Sequence, residues 1–352
     1  MNAPVDLRSD TVSRPTAEML RAMHDAEVGD DYYRDDPTVR RLEELAAEML
    51  GKEAGLLVLS GTMGNLVSIL AQTERGQSVL VEETSHVFLN EGGHLAMIGG
   101  LTARTIRGDR GFISPAQIEA GVFARSVLHP PTRMLCFENT HNVAGGRCLN
   151  VAQTHAMCAA AASRGLATHV DGARVFNAAV ALRVAAAELV AEVGSVTFCL
   201  TKGLGCPVGS LVAGTRDFVE RARHWRQAVG GGMRQAGSFA AAGLVALRTM
   251  VDRLAEDHAN ARRLATILAD LGLPIDPADV ETNMVFVEIP GTLGGPARFV
   301  EELRRAGVVV NPPRGGRVRF VTYHNISAAD IERAGKAAAS ALAALRAAVA
   351  PA

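Results

Sequence analysis

Short runs rich in β-forming residues alternate with stretches of helical periodicity through the first two-thirds of this sequence. Six of these runs are predicted strands: GLLVLS (55–60), QSVLVEE (77–83), LTARTI (101–106), RMLCFEN (133–139), ATHVDG (167–172) and SVTFCLT (195–201). Helices are predicted between most of them, including residues 63–73 and 151–164. This alternation is typical of a parallel sheet covered by its crossover helices, so the sequence predicts an α/β fold.

The seventh predicted strand, GSLVAGT (209–215), changes the character of this sheet. It begins after a short connection, residues 202–208. A parallel crossover needs about a dozen residues or more, so this strand is expected to run antiparallel to the sixth. The expected sheet is therefore mixed, mostly parallel and seven-stranded. Lys202 lies in the tight connection at a strand end, where α/β proteins place ligands.

The pattern changes near residue 248. A long helix is predicted from about 238 to 271. It is followed by the strand TNMVFVEI (282–289), a helix at 296–306, the short strands GVVVNP and RVRFVTY, and an alanine-rich terminal helix. Ser327 and Asp330 give that last helix a start like a capping box. We expect a large domain over residues 1–247 and a small C-terminal α+β domain over residues 248–352.

Charge and cysteine content narrow the classes of function. The formal net charge is -1, which gives no electrostatic reason to bind nucleic acid. The five cysteines are scattered without paired metal spacing and suit a reducing cytoplasm. The start, MNAPVDLRSDTVSRP, is polar and broken by prolines, and no uncharged apolar run approaches the roughly 20 residues that span a bilayer. We expect a cytoplasmic enzyme with no metal, membrane or nucleic-acid partner.

Lysine is rare in this chain. Lys52, Lys202 and Lys336 are its only lysines, and the other basic residues are arginines, whose guanidinium stays protonated and cannot act as a nucleophile. Lys202 lies between two apolar runs in SVTFCLTKGLGCPVGSLVAGT, where an unpaired ammonium is costly to bury. Lys52 and Lys336 fit ordinary surface positions. Lys202 is therefore the candidate for amine chemistry.

Two further features indicate the cofactor that such a lysine would serve. Asp171 ends an apolar strand in ATHVDGAR, where a buried carboxylate needs a cationic partner. LSGTMGNLVSIL predicts a strand, a turn and a helix, and the first amides of such a helix bind an anion, commonly a phosphate. A lysine that forms a Schiff base, an aspartate that keeps a pyridine nitrogen protonated and a phosphate-binding helix end together indicate pyridoxal phosphate.

Longer motifs agree with this chemistry. They are DLRSDTVSRPT, VGDDYYRDDPTV, GKEAGLLVLSGTMGN, FENTHN, HVDGARVFNA, LTKGLGCPVGS and GGGMRQAG. In these motifs, which cover nearly the whole chain in family order, the sequence resembles the L-threonine aldolase family of the low-specificity type. The resemblance implies the aspartate-aminotransferase-like fold, fold type I of the pyridoxal-phosphate enzymes.

The resemblance implies roles for individual residues. Lys202 matches the Schiff-base lysine, and Asp171 matches the partner of the pyridine nitrogen. His86 matches the histidine that stacks on the cofactor ring and faces the substrate hydroxyl, and His141 matches the second histidine near that hydroxyl. The other matches are Ser9, Arg174 and Arg319 for the substrate carboxylate (Arg174 also at the cofactor), Gly61 and Thr62 for the phosphate, Arg234 for the phosphate of a neighbouring subunit, and Tyr33 for an aromatic at the subunit boundary.

Two positions depart from the family pattern. Arg34 stands where a glycine is common in D-x-Y-G-x-D, and Tyr323 stands where a histidine usually follows VT. The first departure bears on side-chain preference at the site mouth, and the second bears on the surroundings of Arg319.

The resemblance implies a reversible aldolase that cleaves L-threonine, L-allo-threonine and related β-hydroxy-α-amino acids to glycine and an aldehyde, which is acetaldehyde from threonine. His86 or His141, directly or through a water, is the expected base, because a neutral imidazole accepts protons near pH 7. The inter-subunit role of Arg234 implies a homo-oligomer, expected as a tetramer built from two dimers.

Three other functions would use part of the same residue set. A pyridoxal-phosphate β-lyase or aminotransferase of the same fold would share the lysine and the aspartate and differ in its products. A cofactor-free Schiff-base aldolase would need Lys202 but not Asp171. A non-catalytic ligand-binding or interaction protein would need neither, and the complete set of candidate groups fits it poorly.

Overall fold

A computed structural model describes residues 3–349 of the chain. Its strands are β1 (Val5–Asp6), β2 (Ala54–Val58), β3 (Ser78–Glu82), β4 (Thr102–Ile106), β5 (Thr132–Glu138), β6 (Ala167–Asp171), β7 (Ser195–Cys199), β8 (Ser210–Gly214), β9 (Met284–Glu288), β10 (Val308–Val309) and β11 (Arg317–Val321). Its α-helices are α1 (Ala17–His24), α2 (Pro37–Met49), α3 (Gly61–Leu70), α4 (His86–Leu89), α5 (His94–Met97), α6 (Pro115–Gly121), α7 (Val151–Ser163), α8 (Val175–Leu182), α9 (Ala186–Val190), α10 (Arg216–Ala228), α11 (Gly237–Thr249), α12 (Leu254–Asp270), α13 (Gly295–Arg305) and α14 (Ala328–Val349).

The chain divides into two compact units. The larger unit is Pro15–Val251, and the smaller one combines the residues up to Arg14 with those from Asp252 onward. The expected boundaries, 1–247 and 248–352, differ from this division mainly at the N-terminus. Residues there group with the C-terminal unit because β1 pairs in parallel with β10 and the Val321 amide donates to the Leu7 carbonyl at 3.0 Å.

The larger unit contains a seven-stranded sheet in the order β2-β8-β7-β6-β5-β3-β4. Strand β8 runs antiparallel to both of its neighbours, β2 and β7, and the other neighbouring pairs are parallel. The predicted mixed sheet and its antiparallel seventh strand are therefore confirmed. The connection from β7 to β8 is too short for a crossover helix, which forces the chain to reverse.

One edge of the sheet collects most of the strand ends that matter for function. Strands β3, β5, β6 and β7 are mutually parallel, and β2 points the same way because both β2 and β7 are antiparallel to β8. The carboxyl ends of all five strands therefore lie at one edge. Loops that follow these strands can place side chains in one crevice there.

Helix starts follow ordinary capping chemistry. The Ser60 side chain accepts a hydrogen bond from the Met63 amide at the start of α3, and Asn150 forms a capping box with Gln153 at the start of α7. Inside the unit, apolar side chains of β2, α3 and α10, among them Leu56, Val67 and Phe218, form one buried cluster. These caps and contacts fix α3 against the sheet.

The smaller unit contains two two-stranded sheets, the antiparallel pair β9–β11 and the parallel pair β1–β10. Its core joins apolar residues of α12, α13, α14 and the strands, with Leu264, Phe299 and Phe320 among those fully or almost fully buried. The Ser327–Asp330 capping box is present at the start of α14. The predicted α+β character is confirmed.

The single helix predicted from about 238 to 271 is wrong. The structure has two helices there, α11 ending at Thr249 and α12 beginning at Leu254. The chain turns between them, with the Ala255 amide bonded to the Asp252 carbonyl, at the point where the two units divide. Apolar periodicity continues through this turn, which is why the pattern alone does not reveal the break.

Within the described residues, no helix combines the length and the apolar character needed to cross a bilayer.

Candidate active site

Gly61 places the start of α3 against the end of β7. A Cβ built on Gly61 would lie 2.7 Å from the Cys199 Sγ, so any other residue would push this helix away from the sheet. Cys199 ends β7 and leads directly to Lys202, and Thr62 follows Gly61 at the helix start. The start of α3 therefore lies beside the end of β7, three residues before Lys202, and the first amides of such a helix can bind an anion.

Asp171 lies at the end of β6 with only 3% of its surface exposed. Its Oδ2 accepts a hydrogen bond from the Asn65 Nδ2 at 2.9 Å, and its Oδ1 accepts one from the Ala173 amide at 3.1 Å. It stands in register with Thr197 of the neighbouring strand β7. A buried, oriented carboxylate in this place suits a protonated pyridine nitrogen.

His86 is held by the buried carboxylate of Glu91. Its Nδ1 lies 2.8 Å from the Glu91 Oε1, and the same oxygen accepts a hydrogen bond from the Asn65 Nδ2 at 2.8 Å. We assign the ring hydrogen to Nδ1, which leaves a lone pair on Nε2 whenever the ring is neutral. The hydrogen bond to Glu91 raises the pKa of His86 against the opposing effect of burial.

Glu91 couples several groups of the site. Burial raises its pKa to about 7, although His86 and Asn65 act in the opposite direction. One donor atom each of His86, Glu91 and Asp171 lies within 4.8 Å of the others, a spacing that could also hold a cation. The buried His94, which carries no motif signal in the sequence, has its Nδ1 3.3 Å from the Glu91 Oε2.

His141 is fully buried, and both of its ring nitrogens are engaged. Nε2 lies 3.1 Å from the Glu82 Oε2, and Nδ1 accepts a hydrogen bond from the Ala144 amide at 3.2 Å. Burial alone would raise the pKa of Glu82, but hydrogen bonds from His141 and Thr84 bring it down to about 2. Burial lowers the pKa of His141, and the contact with Glu82 and nearby carboxylates more than offsets this, so the pKa is raised.

Backbone contacts hold the two histidine loops. The Glu138 side chain accepts from the His86 amide at 2.9 Å and from the Asn142 amide at 2.8 Å. Gly111, at a φ of 92°, packs on the His141 ring, where a Cβ would lie 2.5 Å from its Cγ. The Glu138 carboxylate therefore ties the backbone at His86 to the backbone next to His141, and Gly111 packs against the His141 ring.

Lys202 is half-buried, and its carbonyl accepts a hydrogen bond from the Gly205 amide at 2.9 Å in the turn toward β8. Arg174 is 7% exposed and caps the start of α8, three residues after Asp171. Lys52, by contrast, uses its Nζ to cap α9, with donor–acceptor distances of 2.6 Å to the Val190 carbonyl and 2.7 Å to the Val193 carbonyl. Its amine is already committed to backbone groups.

Arg234 and Tyr33 lie at the surface of the larger unit. The Arg234 guanidinium pairs with Asp30 at 3.2 Å and lies over the Tyr32 ring at 4.9 Å, and its side chain is 60% exposed. Tyr33 is 72% exposed. Their roles at a subunit boundary remain predictions.

Arg34, the first departure from the family pattern, has a φ of 62° and forms an ion pair with Glu220. A glycine adopts this left-handed conformation without strain, whereas an arginine rarely does.

Ser9, Arg319 and Tyr323 belong to the smaller unit. The Ser9 Oγ caps a short 3-10 helix by accepting from the Thr11 amide, and the Arg319 Nη2 donates to the Arg8 carbonyl at 3.2 Å. The structure thus brings Ser9 and Arg319 near one another. The Tyr323 Oη donates to the Asp6 carbonyl at 2.8 Å, and burial raises its pKa to about 12.

The strand-edge residues of the larger unit fit pyridoxal phosphate. The close approach at Gly61, the oriented carboxylate of Asp171 and the half-buried Lys202 are of the kinds that bind a phosphate, pair with a ring nitrogen and form a Schiff base. The set of residues predicted from the sequence lacks those whose hydrogen bonds hold the predicted site residues, namely Asn65, Glu82, Glu91 and Glu138. Glu82 and Glu138 end strands, and Asn65 lies one helical turn after Gly61. These positions are the signal that could have indicated these three residues.

The fold is that of the fold type I class of pyridoxal-phosphate enzymes. A family model described as beta-eliminating lyase matches residues 6–290. Low-specificity L-threonine aldolase 1 of Arabidopsis thaliana is 43% identical, covering 93% of this chain and 93% of its own length. Low specificity L-threonine aldolase of Escherichia coli K12 is 42% identical, covering 92% of this chain and 95% of its own length.

A solved threonine aldolase structure from Leishmania major superposes with a TM-score of 0.82 at 19% identity, covering 99% of this chain and 100% of that one. This likeness supports the fold, and the two relatives support the closer grouping. The chain belongs to the beta-eliminating lyase family, within the group of low-specificity L-threonine aldolases.

Proposed function

We propose that this protein is a pyridoxal-phosphate-dependent aldolase that cleaves L-threonine, L-allo-threonine and related β-hydroxy-α-amino acids to glycine and an aldehyde. The observation that carries the proposal is the buried cluster at the strand edge. There Asp171, Asn65, Glu91 and His86 lie in one hydrogen-bonded group beside the loop of Lys202. The aldolase names of the two relatives that cover nearly the whole chain support the reaction type.

When bound, pyridoxal phosphate supplies an aldehyde that condenses with amines and a pyridinium ring that accepts electrons released at the substrate Cα. Lys202 provides the amine that holds the cofactor covalently. Asp171 keeps a positive charge on the ring nitrogen, and the first amides of α3 at Gly61 and Thr62 bind the phosphate. Lys202, Asp171 and the start of α3 all follow or end strands at the same edge of the sheet, where one cofactor could contact all three.

Cleavage of the Cα–Cβ bond requires removal of the substrate hydroxyl proton. His86 is better arranged for this than His141, because its Nδ1 binds Glu91 and its Nε2 has no hydrogen-bond partner among the described residues. His141 has both nitrogens engaged, by Glu82 and by the Ala144 amide. We assign the proton transfer to the His86 Nε2. We assign His141, as the family resemblance implies, to a position near the same substrate hydroxyl.

The buried guanidinium of Arg174 is proposed to bind the substrate carboxylate, since a bidentate arginine–carboxylate pair fixes orientation as well as charge. The family resemblance gives the same role to Ser9 and Arg319, and for these two residues it stays a prediction. The orientation of the substrate carboxylate decides which bond at Cα breaks. These residues therefore favour cleavage of the Cα–Cβ bond over removal of the Cα proton.

A panel of β-hydroxy-α-amino acids tests the proposal, with glycine and the aldehyde product both quantified. A β-lyase of the same fold is the second candidate, because the matching family model is described as beta-eliminating lyase. The two functions differ in their products: an aldolase releases glycine, whereas a β-lyase releases pyruvate-type keto acid and ammonia. Keto acid without glycine would overturn the aldolase proposal.

Replacing Glu91 with glutamine is expected to shift the acid limb of the kcat/KM pH profile to lower pH. Glu91 is the main cause that raises the pKa of His86 above 6.5, and glutamine carries no charge to stabilise the protonated ring. His86 acts as a base only when neutral, so activity rises as pH increases through its pKa and persists to lower pH when that pKa falls.

The matched control is Glu192→Gln, which changes an exposed glutamate paired with His155 at 2.7 Å. Its pH profile should coincide with that of the wild type. A Glu91→Gln profile with an unmoved acid limb would show that a different group accepts the proton.

Replacing Arg234 with alanine is expected to weaken cofactor binding by about tenfold or more, with a smaller effect on turnover of the loaded enzyme. We propose that Arg234 binds the phosphate of a neighbouring subunit and that the protein is a homotetramer built from two dimers. Its guanidinium is exposed, with Asp30 as its ion-pair partner in its own chain, which leaves it accessible to a partner.

Mixing the Arg234→Ala and Lys202→Ala proteins tests the arrangement. The mixture is assayed at a pyridoxal phosphate concentration that leaves the Arg234→Ala protein mostly without cofactor. Exchange between subunits should then raise cofactor binding and activity, because one mixed site receives both intact residues. Mixtures that exchange subunits but gain no activity at this concentration would place the arginine's role within its own chain.

A cytoplasmic location is part of the proposal. It is supported by the buried thiols of Cys136, Cys158, Cys199 and Cys206, which form no disulfide.

A further inference from the structure

Asn65 lies at the centre of a buried hydrogen-bond network that extends beyond the groups given a role above. It is 1% exposed and lies on α3, one helical turn after Gly61. Its Nδ2 donates one hydrogen bond to the Asp171 Oδ2 at 2.9 Å and another to the Glu91 Oε1 at 2.8 Å. A single side-chain amide thus joins the carboxylate assigned to the ring nitrogen with the carboxylate that holds His86.

His169 contacts the oxygen end of this amide. Its Nε2 lies 3.1 Å from the Asn65 Oδ1. The two carboxylates on the other side of Asn65 require the NH₂ group, so the amide oxygen faces His169 and the His169 Nε2 must carry the ring hydrogen. Burial lowers the pKa of His169 to about 4, so the ring is neutral and has only this one hydrogen.

The hydrogen-bond network extends from His169 to Ser195 and Gln72, and its donors all point the same way. With its hydrogen on Nε2, His169 accepts at Nδ1 from the Ser195 hydroxyl at 2.8 Å, and the Ser195 Oγ accepts from the Gln72 Nε2 at 2.7 Å. Every donor from Gln72 onward therefore points toward Asp171 and Glu91. Strand alternation explains part of the geometry, because His169 and Asp171 are two residues apart and share one face of β6.

We infer that Asn65 and His169 are positioning residues that orient Asp171 toward the cofactor ring and couple it to the Glu91–His86 pair. The inference rests on the proposed function, in which Asp171 is the partner of the pyridine nitrogen. Neither residue contacts the substrate in this role. Their effect passes through the amide of Asn65, whose orientation the donor on His169 maintains.

Substitutions at His169 separate positioning from a merely structural role. His169→Leu removes the donor to Asn65, whereas His169→Gln keeps an N–H near the position of Nε2. The matched control is Ser68→Ala on the helix of Asn65, since Ser68 is fully buried and its Oγ has no hydrogen-bond partner among the described residues. The measurements are the dissociation constant of pyridoxal phosphate from each apoprotein and the visible circular dichroism of the bound cofactor, which reports how the ring is oriented.

We expect His169→Leu to bind the cofactor roughly tenfold more weakly and to lose the visible circular dichroism signal, because Asp171 loses its fixed orientation. His169→Gln and Ser68→Ala should match the wild type in both measurements. If Leu and Gln variants have equal affinity and equal circular dichroism, the inference is overturned while the proposed function stands. A wild-type chain that binds no pyridoxal phosphate would overturn both.

A second measurement needs no cofactor. Histidine-selective ¹⁵N NMR of the wild-type apoprotein should find His169 as the neutral Nε2–H tautomer across the neutral pH range. The Nδ1–H tautomer would overturn the network, because the Asn65 oxygen would then face a nitrogen lone pair.

Discussion

Replacing Lys202 with alanine is expected to lower the rate of threonine cleavage by at least about 10³-fold. The reason is chemical, since no other lysine stands at the sheet edge. Lys52 donates to the carbonyls of Val190 and Val193, and Lys336 lies exposed on α14 of the smaller unit. Arginines cannot replace the amine, because their guanidinium is protonated at all working pH values.

The measurement combines glycine release with borohydride reduction and peptide mapping of the wild-type holoenzyme. A pyridoxyl group should be found on Lys202 alone. Lys336→Met is the matched control and should retain wild-type activity and labelling. A pyridoxyl group on Lys52 or Lys336 would contradict the assignment, and so would a Lys202→Ala protein that remains folded and active.

Replacing Asp171 with asparagine is expected to lower turnover by about 10³-fold while the cofactor stays bound. Asparagine keeps the size of the side chain. Its amide oxygen can still accept the hydrogen bond that the Asn65 Nδ2 donates to the Asp171 Oδ2 at 2.9 Å. It lacks the negative charge that keeps the pyridine nitrogen protonated, so the ring becomes a poorer electron acceptor. The loss should therefore appear in kcat rather than in cofactor content.

The measurement is single-turnover cleavage at saturating cofactor, with the bound cofactor quantified by absorbance. Asp217→Asn removes an exposed carboxylate of α10 and serves as the control that should leave the rate unchanged. Near-normal turnover in Asp171→Asn would mean that the aspartate has only a structural role.

Much of the fold follows from local pattern. The seven strands of the sheet appear where β-forming runs predict them, and the reversal between β7 and β8 follows from a connection too short for a crossover. Lys202 and Asp171 stand out for a related reason, because an ionisable residue at the end of an apolar strand has no packing explanation. These signals are contained within a few neighbouring residues each.

The tertiary structure decided which groups hold the predicted ones. Asn65 and Asp171 are 106 residues apart in the chain, and Glu82 and His141 are 59 apart, yet each pair is hydrogen-bonded in a buried setting. Such pairs depend on how α3 and the strands pack. Periodicity shows which face of an element is apolar, but it does not specify the partner that a polar side chain meets across the core.

The hydrogen bonding of the two histidines also depends on the tertiary structure. Both residues fit the family motif equally well, but in the described residues the His86 ring is bonded only through Nδ1, whereas both ring nitrogens of His141 are bonded. The sequence by itself determined the α/β class and the sheet, and it singled out Lys202 and Asp171 as candidate site residues, because these signals depend on local composition and spacing. Only the tertiary structure decided the Asn65 network and the grouping of β1 with β10, because hydrogen bonds between residues far apart in the chain depend on their final three-dimensional positions.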